Sequence, residues 1–293
     1  MPVNDPIIAQ QTPRADHTID QMWDKYTPEE HGVWKTLYDR QMKVLQGRAA
    51  PEHFKGLELL NMSDEIPDFR RMNEKLMALT GWEVVTVHGL IPNDVFFDHL
   101  ANRRFVAGRF IRDAHKLDYL EEPDIFHDVF GHVPLLTQPV FADYMQAYGR
   151  GGVKAMKHDM IENLTRLYWY TVEFGLINTP EGRRIYGAGI VSSQSESKFS
   201  LEARSPHRVH FDLERVMTTD YRYDDFQQTY FVIDSYDELM EATAGQDFDP
   251  IYAKLKGVPD TKPDTLVDGD KVYTQGTQEY AHAGGLKAEA VAV

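Results

Sequence analysis

With 42% hydrophobic and 12% aromatic residues among 293, the chain has enough apolar side chains for a substantial core, which excludes disorder along its whole length. Its 31 Lys and Arg against 46 Asp and Glu give a net charge of −15 with no basic cluster to offset it, which argues against a nucleic-acid or anionic-membrane coat. The absence of Cys removes disulfides, thiolate nucleophiles, iron–sulfur clusters and Cys-ligated zinc, so any metal must sit on His, Asp and Glu. The first twenty residues lack an apolar export segment and no uncharged run reaches the length of a membrane span, so a soluble, cytoplasmic protein is expected.

In chain order, Thr27-Pro28-Glu29-Glu30 forms a capping box ahead of apolar residues at Val33, Trp34, Leu37, Met42 and Leu45, predicting a helix that ends at Gly47. A second helix is expected from near Pro67 to Gly81, followed by a strand over 82–87, the loop His88-Gly89-Leu90-Ile91-Pro92, and a short helix capped by Asn93. Residues 104–112 read as strand or extended chain. Helices are predicted at 123–131, 139–148 and 153–176, a strand at 185–190, a helix at 192–203, a strand at 230–233 and a last helix at 237–242. Beyond Gln246 the apolar residues lose their period. The expected organisation is therefore a flexible N-terminal segment over 1–19, one catalytic domain over 20–246, and a loosely attached tail over 247–293.

The segment Pro123-Asp124-Ile125-Phe126-His127-Asp128-Val129-Phe130-Gly131-His132-Val133-Pro134 places two His five apart among bulky apolar residues. On a continuous α-helix such positions differ by about 140° in azimuth, so both can grip one ion only if the helix ends between them. Gly131, adopting positive φ, is expected to swing His132 back. A third ligand should be a carboxylate on a neighbouring apolar element. Glu173, within Leu167-Tyr168-Trp169-Tyr170-Thr171-Val172-Glu173-Phe174, is such an acid, although a salt bridge to Arg166 or Arg112 would also account for it. Two imidazoles and one carboxylate leave positions open for Fe(II) chemistry with dioxygen, while hydrolytic zinc remains compatible with the same donors. The H-E-x-x-H pattern of zinc hydrolases is absent.

Other motifs carry less. Gly187-Ala188-Gly189 lacks the third glycine and the βαβ unit of a dinucleotide site, and Ser195-Glu196-Ser197-Lys198 lacks the companion elements of a serine acyl-enzyme. His210-Phe211-Asp212 opens the other common iron arrangement, but the only later His is His282, in the tail. His207 and His210 read as surface or strand-edge residues.

The run from Pro123 to Pro134, together with Trp169-Tyr170-Thr171-Val172-Glu173-Phe174-Gly175-Leu176 and Tyr186-Gly187-Ala188-Gly189-Ile190-Val191-Ser192-Ser193, resembles the pterin-dependent aromatic amino acid hydroxylases over about residues 23 to 240, most closely their bacterial phenylalanine-hydroxylating branch. The resemblance implies a mainly α (α+β) fold, a single helical-basket catalytic domain with a few short strands. It implies a monooxygenase converting L-phenylalanine to L-tyrosine with O2, with tryptophan or tyrosine hydroxylation as alternatives; a non-catalytic amino-acid or pterin-binding protein is the reading from another class. By that resemblance His127, His132 and Glu173 hold Fe(II), and Tyr168 stands near the iron without being a ligand. The tetrahydropterin is expected against Phe96 and the Gly89-Leu90-Ile91 loop, with Asp128 at its edge where animal relatives usually carry Glu. Substrate contacts are expected from Arg112, Trp169, Ser192, Ser193 and Glu196. The stretch before residue 23 is too short for the regulatory domain of animal relatives, and the tail lacks their apolar heptad helix, so a monomer acting on small molecules is expected.

Overall fold

The computed structural model describes residues 5–118 and 122–285. Two units divide the chain, one comprising Met1–Gln46 with Pro51–Lys154 and the other Gly47–Ala50 with Ala155–Val293.

In the first unit, α1 (Pro6–Ala9) and β1 (Thr18–Ile19) precede α2 (Pro28–Leu45), α3 (Pro51–Leu60), α4 (Phe69–Thr80), β2 (Glu83–Val87), α5 (Asn93–Ala101) and β3 (Arg104–Ala107). The capping box of α2 forms as expected: Thr27 Oγ1 accepts from the Glu30 N–H at 3.2 Å and the Glu30 carboxylate accepts from the Thr27 N–H at 2.7 Å. Its apolar stripe buries Trp34, whose indole donates to the Met62 carbonyl at 2.7 Å. Gly81 ends α4 in the left-handed conformation at φ 74°, as a glycine after a helix should. The β2–α5–β3 crossover makes β2 and β3 parallel, and β1 adds antiparallel to β2.

From Asp5 onward, the N-terminal segment expected to be flexible is instead built into this unit. Asp5 caps α1 and pairs with the buried Arg109 at 2.5 Å, while Thr18 and Ile19 lie in register with Val87 and Thr86.

A π-helical segment (Phe126–His132) and a 3₁₀ turn (Val133–Thr137) lead into α6 (Pro139–His158). The glycines around residue 150 read in sequence as a helix break, yet α6 runs through them. Two of them are there for packing, because a Cβ on Gly149 would stand 2.4 Å from the Ala101 nitrogen and one on Gly152 would stand 2.0 Å from the Phe97 ring. The break comes later, where Asp159 takes positive φ (59°). In place of one helix over 153–176 there are α7 (Ile161–Tyr168) and a second π-helical turn (Trp169–Glu173).

The second unit continues with β4 (Leu176–Thr179), β5 (Gly182–Ile185), α8 (Ala188–Val191), α9 (Gln194–Glu202), β6 (His207–His210), α10 (Leu213–Met217), β7 (Thr229–Ile233), α11 (Tyr236–Thr243), α12 (Phe248–Leu255), β8 (Val272–Thr274) and α13 (Glu279–His282). The five-stranded sheet has the order β5-β4-β7-β6-β8, with the wholly buried β7 at its centre, parallel to both neighbours. The strand expected over 185–190 thus ends at Ile185.

The stretch after residue 246, expected as a loose tail, is docked over its described part. β8 pairs antiparallel with β6, Asp260 binds Arg166 through two hydrogen bonds at 2.6 and 2.7 Å, and Asp270 meets Arg215 at 3.0 Å. Besides these carboxylates on buried arginines, α12 buries only Tyr252 and Leu255, too short an apolar pattern to read as a period. Among the described residues no helix is long and apolar enough to cross a membrane.

Candidate active site

The two histidines of the first unit converge by a different device from the one the sequence suggested. Gly131 is not in the left-handed region. Residues 126–132 form instead a π-helix, whose i→i+5 hydrogen bonding brings residues five apart onto one face. His127 and His132 therefore face each other with their Nε2 atoms 3.4 Å apart and ring planes at 86°. Two nitrogens bound about 2.1 Å from one ion, roughly at right angles, would stand about 3 Å apart, so the pair fits a shared metal. The opposite face is locked by aromatics: Phe126 stacks on Phe130 at 4.6 Å, and Trp34 and Tyr38 close on them edge-on. Phe105 lies 4.9 Å from the His132 ring. Downstream, a Cβ on Gly56 would meet the Pro134 carbonyl oxygen at 2.1 Å, so α3 approaches the chain beyond His132 only because that position lacks a side chain.

Arg112 lies in the same unit, buried, and pairs with Asp124. Its Nε and Nη2 donate to the two Asp124 oxygens at 2.8 and 2.9 Å and its Nη1 to the Leu117 carbonyl at 2.9 Å. Asp124, fully buried, also accepts from the backbone N–H groups of Arg112 and His127, each at 3.0 Å. One carboxylate thus fixes both the arginine and the start of the histidine-bearing turn. Sequence reading passed over Asp124; its place after Pro123 at a helix start was the available signal. Asp128 accepts from the Gly108 N–H at 2.7 Å. Leu90 is 95% exposed in the loop after β2, between Gly89 and Ile91, and Phe96 sits in the first turn of α5 against Phe97.

In the second unit, Tyr168 ends α7 and Glu173 ends the π-helical turn, which the Phe174 N–H closes onto the Trp169 carbonyl at 2.8 Å. The arginines considered as salt-bridge partners for Glu173 are engaged elsewhere, Arg166 with Asp260 and Arg112 with Asp124. The glycines of Gly187-Ala188-Gly189 have a steric reason rather than a dinucleotide one. A Cβ on Gly187 would meet the Glu173 carbonyl oxygen at 2.4 Å, and one on Gly189 would stand 3.2 Å from the Glu173 carboxylate.

Trp169 stacks on Tyr221 at 4.3 Å and donates from Nε1 to Gln227 Oε1 at 2.9 Å. Ser192 donates to the Ala188 carbonyl at 2.8 Å, and Ser193 caps α9 by accepting the Glu196 N–H at 3.2 Å. Glu196 is buried and accepts hydrogen bonds from the Tyr230 hydroxyl and, at 3.4 Å, from the Gln227 N–H. Burial pushes its carboxyl up to about 7, against the pull of those two donors. Tyr230 is itself raised well above the usual phenol, first by burial and then by the Glu196 charge.

The alternative iron motif dissolves. Asp212 caps α10, while His210 contacts Glu238 at 3.1 Å and the Tyr273 hydroxyl at 3.1 Å. His207 is buried in β6 rather than lying at the surface, with Nδ1 accepting from the Gly276 N–H at 2.9 Å.

Residues 11–247 match the family model of the biopterin-dependent aromatic amino acid hydroxylases. The chain is 63% identical over 280 residues to a phenylalanine-4-hydroxylase of Caulobacter vibrioides, covering 95% of each chain. It is 59% identical over 258 residues to that of Chromobacterium violaceum, covering 86% of each. A crystal structure of the C. violaceum enzyme with iron and phenylalanine bound superposes with a TM-score of 0.86 at 55% identity, covering 90% of this chain and 97% of that one. A structure of the same enzyme with oxidized Fe(III) superposes with a TM-score of 0.88 at 56% identity, covering 90% and 96%. The mainly helical fold with two small sheets is that of the same group, and the chain belongs to the biopterin-dependent aromatic amino acid hydroxylases.

Proposed function

We propose that this chain hydroxylates L-phenylalanine at the para carbon to give L-tyrosine, with dioxygen, Fe(II) and a tetrahydropterin. The observation that carries the reading is the convergence of His127 and His132 on one π-helical turn, in a chain of a biopterin-dependent hydroxylase family. Phenylalanine is favoured over tyrosine and tryptophan because the relatives at 63% and 59% identity carry that specificity in their names, and one of them has been crystallised with phenylalanine.

The ligand set of this reading is His127, His132 and Glu173. Bound iron and tetrahydropterin together supply the two-electron activation of dioxygen. The side chains act by placement. Arg112 has five N–H donors, of which three are used by Asp124 and Leu117; the two outside these bonds, one on each terminal nitrogen, suit the two oxygens of an amino acid carboxylate. Asp124 and the Leu117 carbonyl hold that buried guanidinium in one orientation. Trp169 walls the aromatic pocket, Ser192 and Ser193 line the substrate side, and Glu196 orients the polar end of the substrate. Tyr168 lies beside the metal without ligating it. Phe96, the Gly89-Leu90-Ile91 backbone and Asp128 receive the pterin, Asp128 with one oxygen already fixed by Gly108. A ferrous ion and a reduced pterin suit the reducing cytoplasm.

The test is kcat/KM for phenylalanine, tyrosine and tryptophan with anaerobically loaded Fe(II) and a tetrahydropterin. Phenylalanine should lead, with tryptophan a weak second, since an apolar pocket discriminates by only about 1–3 kcal/mol per group. A preference for tyrosine or tryptophan would overturn the substrate. Absence of any hydroxylated product would overturn the activity. The active species is proposed to be the monomer, sedimenting as a 33.7 kDa particle; a dimer mass in the assay buffer would contradict this.

A further inference from the structure

Gln227 lies in none of the motifs above, yet both Trp169 and Glu196 are tied to it. The residue is 2% exposed and sits two residues before β7. Oε1 accepts from Trp169 Nε1 at 2.9 Å, and Nε2 donates to the carbonyls of Arg222 at 2.7 Å and Asp225 at 3.3 Å. Its backbone N–H donates to Glu196 Oε1 at 3.4 Å, the same oxygen that accepts from Tyr230. The amide orientation is fixed by chemistry, because the indole can only donate and the two carbonyls can only accept. The same loop supplies Tyr221, whose ring stacks on the indole at 4.3 Å and 24°. Tyr221 therefore holds the face of Trp169 while Gln227 holds its edge, and the combination leaves the ring one orientation.

We propose that Gln227 is a positioning residue that sets substrate specificity: it fixes the plane of Trp169 through its side chain and restrains Glu196 through its backbone. This rests on the reading of Trp169 and Glu196 as substrate-side groups. Removing the acceptor leaves the part-buried indole N–H without its partner, and the ring relieves this by turning toward another one, which reshapes the aromatic pocket without touching the metal ligands. The effect should fall on recognition of the amino acid rather than on the pterin.

The experiment is steady-state kinetics of Gln227→Leu, Gln227→Glu and Trp169→Phe on the iron-loaded full chain, with phenylalanine and tryptophan as substrates and tetrahydropterin varied separately. For Gln227→Leu the KM for phenylalanine should rise about tenfold and the phenylalanine-to-tryptophan ratio of kcat/KM should change by a similar factor, while the pterin KM stays within about twofold. Gln227→Glu keeps an acceptor for the indole but turns a carboxylate oxygen toward the Arg222 and Asp225 carbonyls, so it should restore that ratio only in part. In the Trp169→Phe background, where no indole N–H exists, Gln227→Leu should leave the ratio nearly unmoved. Should Gln227→Leu fail to fold, Gln227→Asn, whose shorter amide cannot reach the indole, carries the same expectations. An unchanged ratio, or equal losses for both substrates and the pterin, overturns the proposal. Wild-type enzyme without hydroxylase activity would instead overturn the function on which it rests.

Discussion

Two buried carboxyls among the proposed substrate-binding residues and their supports are handled in opposite ways. Asp124, in the first unit, faces the guanidinium of Arg112 with both oxygens and takes two backbone N–H groups besides. Glu196, in the second, is equally enclosed but has only a phenol and one long backbone contact, and its carboxyl is pushed up to about 7. The first is engaged on both oxygens, and its work is to hold the guanidinium still. The second is a carboxyl whose ionisation near neutrality depends on the two donors around it. Burial is common to the two, and what differs is the set of donors around each.

The comparison breaks most visibly at Asp124. Asp124→Asn should leave Arg112 as an uncompensated buried cation, at a cost of about 3–5 kcal/mol in unfolding free energy by urea titration, with a large rise in the KM for phenylalanine. A loss below about 1 kcal/mol would mean that the guanidinium reaches solvent or another anion, and the contrast would fail.

Glu196 tests the other side through pH. The folded carboxyl lies at about 7 against an ordinary 4.5, so between those values the unfolded chain gives up its proton while the folded chain keeps it, and stability falls as pH rises through that window. The loss is on the order of 3 kcal/mol if fully expressed. Urea titrations at pH 5 and pH 8 should show the wild type losing more stability than Glu196→Gln, which has no proton to lose. Parallel losses in the two proteins would sink the assignment. Tyr230→Phe is the smallest change: it deletes the donor that favours the charged carboxyl, so the Glu196 transition should move further up in pH, at a cost of about 1 kcal/mol in stability at pH 8. A downward movement would show that the phenol does not stabilise the carboxylate.

What the sequence disclosed followed the range of the interactions. The cap of α2, the stop of α4 at Gly81 and the strand that follows it are local and were legible. So were the histidine pair and Glu173, because unusual residue types among apolar neighbours stand out. The π-helical geometry was not, since its i→i+5 bonding leaves no repeat long enough to detect over seven residues, and Gly131 offered a plausible but different route to the same convergence. Asp124 as the partner of Arg112 was hidden because Asp113 is adjacent in sequence, whereas the fold selects the acid twelve residues away. Gln227 was hidden because it lies 58 residues from Trp169, and no spacing rule connects them. Asp260 and Asp270 fasten the C-terminal stretch through ion pairs, which a search for apolar periodicity does not register.

The central claim is that one iron is held by His127, His132 and Glu173. The direct measurement is iron per chain after anaerobic loading and desalting, made on the wild type and on His127→Ala, His132→Ala and Glu173→Ala, with far-ultraviolet circular dichroism to confirm folding. The wild type should retain about one iron per chain and each folded variant close to none. Retention of a full equivalent of iron by folded His127→Ala would contradict the account.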